Sequence, residues 1–323
     1  MKSVVYACND AYIRQTLVSM VSLIQYNPEV KIYLIGDRIS KQNEQWLCDV
    51  LSYYHKSVIM IGLGDILPDI RWNEKDRHPK TVYAKLFMEN VIKEDRVLYL
   101  DSDVIVRESL DPLFERPMEN EYAAGVMMPY SAKLKERISA YHGEPYICDG
   151  VVLFNLSYWK RNRMTEKCVQ YILRFGGNPP MLSEGVLNHV CRGRIGILEP
   201  KYNLMPSMIE YSLTQIRQLF GADCYYEDEQ AINTARETPA IIHFMNELYN
   251  RPWYEPCGHP WKQSYLQTER EALGKCEICL RPSSRHTRYT MWLKKHLPFS
   301  VFSMLYHICL LYTSPSPRDG ATS

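Results

Sequence analysis

Two carboxylates one residue apart, Asp101 and Asp103, end the apolar run Arg96-Val97-Leu98-Tyr99-Leu100, and a second apolar triplet, Val104-Ile105-Val106, follows them. Burying an isolated carboxylate is costly, so a pair held where a buried strand stops suits a cation or a catalytic task. A turn or N-cap would use the same residue types, and the local sequence allows both readings. Glu184, in Ser183-Glu184-Gly185, heads a short helical pattern, where helix capping and a site role again both fit. His243 stands near the exit of the short apolar strand Ala240-Ile241-Ile242-His243-Phe244, and a lone His there first reads as a satisfied structural residue. Gly150 leads the apolar run Val151 to Phe154, a place where a missing Cβ permits close approach of a ligand or neighbour. Cys257, His259, Cys276 and Cys279 have the residue types of a zinc site. The spacing of Cys257-Gly258-His259 is a poor match, however, and the stretch before Cys276 looks helical, so structural zinc is not expected.

The elements that must position these groups form a β-α-β-α-β opening. Ser3 to Cys8 reads as a buried strand, and helical spacing follows through Tyr12, Leu17, Met20, Val21 and Ile24. Val30 to Ile35 is a second strand, Ser40 caps a helix carrying Trp46, Leu47, Val50 and Leu51, and Val58 to Ile61 is a third strand. Neither GxGxxG nor GxxxxGK[ST] occurs, which leaves phosphate charge to a metal or to basic side chains. A helix is expected from Pro79 to Val91, carrying Lys85 into the Arg96 to Leu100 strand. Further strands are expected at Tyr122 to Met127, along Tyr146 to Leu156 and at Ile195 to Leu198. A helix is expected over Tyr158 to Phe175 and a loop over Lys201 to Met205. Ligands of open α/β sheets gather beyond the carboxyl ends of the strands, where Asp101 and Asp103 would sit.

Composition narrows the function classes. The chain has 323 residues, ordinary hydrophobic and charged fractions, and a formal net charge of +1, which excludes a general nucleic-acid binder by its lack of basic excess. The ten cysteines form no short disulfide framework, the opening Met1-Lys2-Ser3-Val4-Val5-Tyr6 does not lead one to expect a signal peptide, and no window reaches about 18 uninterrupted apolar residues. A cytoplasmic protein without a spanning helix is the expectation. From about Pro260 the character changes: no Asp or Glu occurs between Ile278 and Pro317, while Arg281, Arg285, Arg288, Lys294 and Lys295 accompany Tyr289, Trp292, Phe299 and Phe302. That mixture fits an interfacial helix on the inner face of an anionic membrane, and equally an amphipathic helix docked on its own domain. The organisation read from this is a catalytic domain over 1–260, a basic and aromatic helical segment over 261–311, and a disordered tail over 312–323 that resembles translated sequencing-adapter sequence.

Five ordered blocks resemble the family 8 glycosyltransferases, the group of glycogenin and the bacterial lipopolysaccharide galactosyl- and glucosyltransferases. They are Val5-Tyr6-Ala7-Cys8-Asn9-Asp10-Ala11-Tyr12, Thr81 to Leu86, Leu98 to Asp103, Cys148-Asp149-Gly150-Val151 through Leu156, and Ile242-His243-Phe244 with Arg251-Pro252-Trp253. The resemblance implies a GT-A fold, with a Rossmann-like nucleotide-binding half, a mixed central sheet and a helical C-terminal appendage. It implies a retaining hexosyltransferase that moves glucose or galactose from a UDP-sugar to a glycan or glycolipid acceptor such as lipopolysaccharide, capsule or glycoprotein. It also implies Mn2+ or another divalent cation held by Asp101, Asp103 and His243. Ala7, Asn9 and Tyr12 would hold the uridine, Lys85 and Arg251 would face the phosphates, and Asp101, Ser102 and Asn246 would complete the nucleotide-sugar site. Glu184 and Asp149 would line the catalytic subsite.

The chain departs from the family pattern at several of these positions. Asn9 stands where many members have Asp, Lys85 replaces Arg and with it bidentate geometry, and Cys148 replaces Asn. Two extra residues separate His243 from Trp253, and Ser183-Glu184 replaces Asp-Gln. Two other functions fit the residues less well. A sugar-nucleotide-binding protein that has lost transfer would not need the three metal ligands. A haloacid-dehalogenase-type phosphatase would carry its Asp-x-Asp on the first strand, with Thr or Val at the position of Ile105.

Overall fold

The computed structural model describes residues 2–72, 79–136, 143–274 and 281–312. In chain order its elements are β1 (Ser3–Asn9), α1 (Ile13–Tyr26), β2 (Lys31–Asp37), α2 (Lys41–Tyr53), β3 (Val58–Gly62), β4 (Arg96–Leu100) and β5 (Val104–Val106). Then come α3 (Asp111–Glu115), β6 (Ala123–Met127), α4 (Ala132–Glu136), β7 (Ile147–Asn155), α5 (Leu156–Arg161), α6 (Met164–Arg174), α7 (Leu182–Cys191) and β8 (Ile195–Ile197). The last are α8 (Pro206–Glu210), α9 (Leu213–Phe220), α10 (Glu229–Glu237), β9 (Ile241–His243), α11 (Lys262–Leu273), α12 (Arg285–His296) and α13 (Phe299–Tyr312).

Seven strands form one sheet in the order β3-β2-β1-β4-β7-β6-β8. Pairing is parallel from β3 through β2 and β1 to β4, and again between β6 and β8; β7 runs antiparallel to both β4 and β6. The expected β-α-β-α-β half is therefore present, and the sheet is mixed. Val4, Tyr6, Leu98 and Leu100 bury into the core on one face, and Val5, Val97 and Tyr99 into the core on the other. Burial on both faces is why these strands read as continuous apolar runs.

Outside this sheet, β5 pairs antiparallel with β9, setting Val104 opposite His243 and Val106 opposite Ile241. The turn between β4 and β5 is the Asp101-Ser102-Asp103 segment, so this small ribbon brings a residue from late in the chain against the carboxylate pair.

Two expected helices differ. Pro79 to Val91 forms 3-10 segments at Lys80–Leu86 and Met88–Asn90. Tyr83, Ala84, Lys85 and Leu86 are buried in succession against the first two strands and α7. A run with no exposed residue lacks an α-helical stripe, and packing decides its winding. Tyr158 to Phe175 is split into α5 and α6, with Arg163 in the left-handed region at φ 53°. The Asn162 side chain donates to Tyr158 O at 2.8 Å, beside its own backbone N–H at 3.1 Å, and caps the end of α5.

The C-terminal helices rest on the rest of the protein. Helix α11 packs along α1, with Arg14 Nε 2.8 Å from Glu269 Oε1. Phe299 meets Tyr211, Phe302 is buried, and Lys294 Nζ lies 3.2 Å from Glu210 Oε2. Among the described residues no helix is long and apolar enough to cross a membrane. The described cysteines are free thiols. Cys276, Cys279 and residues 313–323, named in the zinc and tail readings, lie outside the described residues.

Candidate active site

Asp101, Asp103 and His243 each present a ligand atom, and these atoms lie within 4.8 Å of one another. His243 Nε2 is 3.2 Å from Asp103 Oδ1, and Arg251 Nε is 3.0 Å from Asp103 Oδ2. Burial works against charge on both Asp103 and His243. Arg251 and His243 nonetheless hold the Asp103 carboxyl below the usual range, and Asp103 lifts the imidazole well above its ordinary value. Burial is also the largest influence on Asp101 and, with Asp149 and Asp103 nearby, raises it against the pull of Lys85. A carboxyl raised among like charges, as Asp101 is, is relieved by a cation. Two carboxylates and one imidazole make a hard, mixed O/N donor set, which fits a divalent ion of the Mn2+ type.

Lys85 is buried at the centre of the acidic groups. Its ammonium sits 2.9 Å from Asp149 Oδ2, 2.8 Å from Asp149 O and 3.5 Å from Asp101 Oδ1, over the Tyr99 ring at 4.3 Å. Burial would lower its pKa, but Asp101 and Asp149 hold it well above the usual lysine value. Ser183 Oγ donates to Asp149 Oδ2 at 2.6 Å, which ties α7 to β7. Glu184, one residue on, is pushed up to about 8 by burial first and then by Asp149, with the Tyr146 hydroxyl bonding to it. The Tyr146 hydroxyl and the Asp149 backbone N–H both pull it down, and burial with the Asp149 charge outweighs them.

The expected nucleotide end lies where β1 leaves the sheet. Asn9 ends β1, and its Oδ1 is buried without a partner among the described residues. Ala7 packs beside the apolar cluster, and Tyr12 stands edge-on to Trp253 with ring centroids 6.4 Å apart. Ser102 Oγ is 2.7 Å from Thr16 Oγ1, which anchors the Asp-Ser-Asp turn to α1. Asn246 Nδ2 donates to Thr287 Oγ1 at 3.3 Å, joining its loop to α12.

Three residues at the site carry no local sequence signal for it. Asn203 Oδ1 lies 3.0 Å from His243 Nδ1. Tyr146 reaches Glu184, and Tyr130 stacks at a tilt on Tyr146 with centroids 5.0 Å apart. Gly150 was legible as a point of close approach, and a Cβ there would fall 2.8 Å from Asp101 Oδ2 and against His243 Cε1.

An Asp-x-Asp turn at the carboxyl edge of a mixed seven-stranded sheet, with nucleotide-type strands on one side, defines a GT-A glycosyltransferase. The chain belongs to glycosyl transferase family 8, whose model matches residues 3–257. It is 26% identical over 261 residues to glycosyltransferase GlyE of Streptococcus pneumoniae serotype 4, covering 78% of this chain and 57% of that protein. It is 22% identical over 308 residues to lipopolysaccharide glucosyltransferase WaaO of Escherichia coli K12, covering 88% and 84%. The chain spans 57% of GlyE and 34% of glycosyltransferase GlyA from the same streptococcus, so it covers only part of the length of those relatives. Its fold is similar to that of galactosyltransferase LgtC in complex with donor and acceptor sugar analogs, with TM-score 0.67 and 20% identity over 89% of this chain and 99% of that one. The crystal structure of GlyE is similar with TM-score 0.61 and 22% identity, over 98% of this chain and 66% of that one.

Proposed function

We propose that this glycosyltransferase moves a hexose, glucose or galactose, from a UDP-sugar to a hydroxyl of a glycan or glycolipid acceptor with retention at the anomeric carbon. The observation that carries the reading is the convergence of Asp101, Asp103 and His243 within 4.8 Å at the carboxyl end of β4. These three would hold a divalent cation, Mn2+ fitting the donor set, and the chemistry it supplies when bound is neutralisation of charge on the diphosphate leaving group. Asn9 supports a uracil, because an unpartnered buried carbonyl oxygen suits that base's N–H. Lys85 and Arg251 brace the carboxylates and add positive charge beside the diphosphate. Asp149 and Glu184 line the subsite of the donor sugar and acceptor.

In the transfer the C1–O bond to the diphosphate breaks and a C1–O bond to the acceptor forms on the same face. The acceptor proton passes to the departing phosphate oxygen. Glu184, with its pKa near 8, is mostly protonated at neutral pH and serves that route as a hydrogen-bonding wall rather than as a nucleophile. The exposed apolar and basic surface of α12 and α13 supports peripheral contact with an anionic membrane, and the free thiols support a cytoplasmic setting.

A thermal-shift panel of nucleotide sugars with Mn2+ or with EDTA tests the donor reading. UDP-glucose or UDP-galactose should raise Tm only with the metal, and the same pair should release UDP slowly. Stabilisation by no UDP-sugar, or UDP release that ignores EDTA, would overturn it. Proton NMR of the transferred sugar reads the anomeric outcome.

A further inference from the structure

We infer that Asn203 is a positioning residue that fixes the tautomer and ring orientation of His243 and so sets the affinity of the Asp101–Asp103–His243 centre for a divalent cation. This rests on the metal reading of that centre and goes beyond it to a residue on no motif.

Asn203 ends a 3-10 turn, Pro200–Asn203, and is fully buried. Its backbone runs beside β9 with no freedom of register: Ala240 N donates to Lys201 O at 2.9 Å, Leu204 N to Ile241 O at 2.8 Å, and His243 N to Leu204 O at 3.1 Å. The Oδ1 atom is thereby held 3.0 Å from His243 Nδ1, while the other ring nitrogen faces Asp103. A carbonyl oxygen accepts and does not donate, so it keeps the proton on Nδ1 and leaves the Nε2 lone pair for a cation. The reversed amide would put a donor against Nδ1, drive the proton to Nε2 and block ligation.

The other end of the same side chain sharpens the point. Asn203 Nδ2 is buried without a hydrogen-bond partner among the described residues. A buried amide kept for fold stability would be satisfied at both ends. This one is satisfied only where it meets His243, the outer-shell arrangement that orients metal-ligating histidines.

The test is Mn2+ binding to purified protein by EPR, without substrate, together with the metal-free Tm. Asn203→Leu, similar in volume and without an acceptor, should fold with a metal-free Tm at or somewhat below wild type, since the His243 Nδ1–H loses its acceptor, and bind Mn2+ about 10–100-fold more weakly. Asn203→Asp restores an acceptor and should stay within about threefold of wild type, by the same outer-shell logic. Wild-type affinity in Asn203→Leu overturns the inference, and so does an equal loss in both variants. If Asn203→Leu does not fold, Asn203→Asp alone decides: binding weaker by more than about tenfold overturns the inference, and retention supports it. His243→Ala separates the two levels. If it binds Mn2+ like wild type, the metal reading itself fails. If it loses Mn2+ while Asn203→Leu does not, only the role of Asn203 fails.

Discussion

Gly150 and His243 are packed so closely that position 150 has room for no side chain: a Cβ would press on the imidazole Cε1 and reach within 2.8 Å of Asp101 Oδ2. Gly150 lies inside β7, where Asp101 N donates to its carbonyl at 2.8 Å, so the need is for space rather than for a turn. Two of the three side chains proposed to hold the cation therefore share one clearance.

Gly150→Ala should cost about 1–3 kcal/mol of stability by overpacking. It should also weaken Mn2+ binding more than that loss alone explains, because both His243 and Asp101 must shift. Urea unfolding and Mn2+ titration on the same preparation check this. A variant with wild-type Mn2+ affinity would show that the crowding is absorbed elsewhere.

Glu184 gives a pH signature. Its carboxyl is neutral below about 4.5 in folded and unfolded chains alike, and the folded protein keeps the proton up to about 8. Between those values the unfolded chain loses a proton that the folded one retains, so the contribution of Glu184 to stability falls as pH rises through the window. Glu184→Gln removes the titration. The Tm of the variant relative to wild type should rise steadily from pH 5 to pH 8.5 in metal-free buffer, and transfer at pH 7 should stay within about tenfold, since glutamine mimics the neutral acid. A flat difference across pH, or a thousandfold loss of transfer, goes against this account.

Much of this site was open to a reader of the sequence, for local reasons. Asp101 and Asp103 are adjacent to one strand, and the doubly buried strands announce themselves by unbroken apolar runs. His243 was assigned only through family resemblance, because what makes it a partner of Asp103 is the pairing of β5 with β9 across more than a hundred residues. Asn203 was hidden for the same reason, since its turn acquires meaning only from lying beside β9. The winding of the Lys85 segment departs from the helical expectation because tertiary burial overrides helical spacing. The clamp of Lys85 between Asp149 and Asp101 needs β4 and β7 to be neighbours, which is a property of strand order.

Asn9 separates binding from folding. Its Oδ1 is buried and meets no donor among the described residues, so a substitution there removes no hydrogen bond they make to that atom. Asn9→Leu should leave the metal-free Tm within about 2 °C of wild type, as for substitutions that break nothing. UDP affinity should fall by about tenfold or more, the loss of one buried hydrogen bond to the base. Isothermal titration with UDP and Mn2+ measures it. Unchanged UDP affinity would move the nucleobase away from the end of β1.

The last prediction concerns the surface of α12 and α13. Tyr289 and Trp292 are exposed on α12 with Arg285, Arg288 and Lys295, and Val301, Met304, Leu305 and Ile308 are exposed on α13. On α13 the exposed set repeats at three and four residues, while Phe302, Tyr306 and Leu310 turn to the protein core. The helix thus has an occupied apolar face and an unoccupied one. Three exposed cations contribute roughly 3 kcal/mol beside an anionic surface at low salt, about 1 kcal/mol each, and the apolar stripe adds to that. The protein should float with vesicles containing phosphatidylglycerol, bind neutral phosphatidylcholine vesicles far less, and be released by added salt. Trp292→Ser with Ile308→Ser should weaken vesicle binding at least tenfold at unchanged Tm and unchanged UDP release, because both side chains face outward. Equal flotation of that double variant would leave the face without a bilayer to cover it.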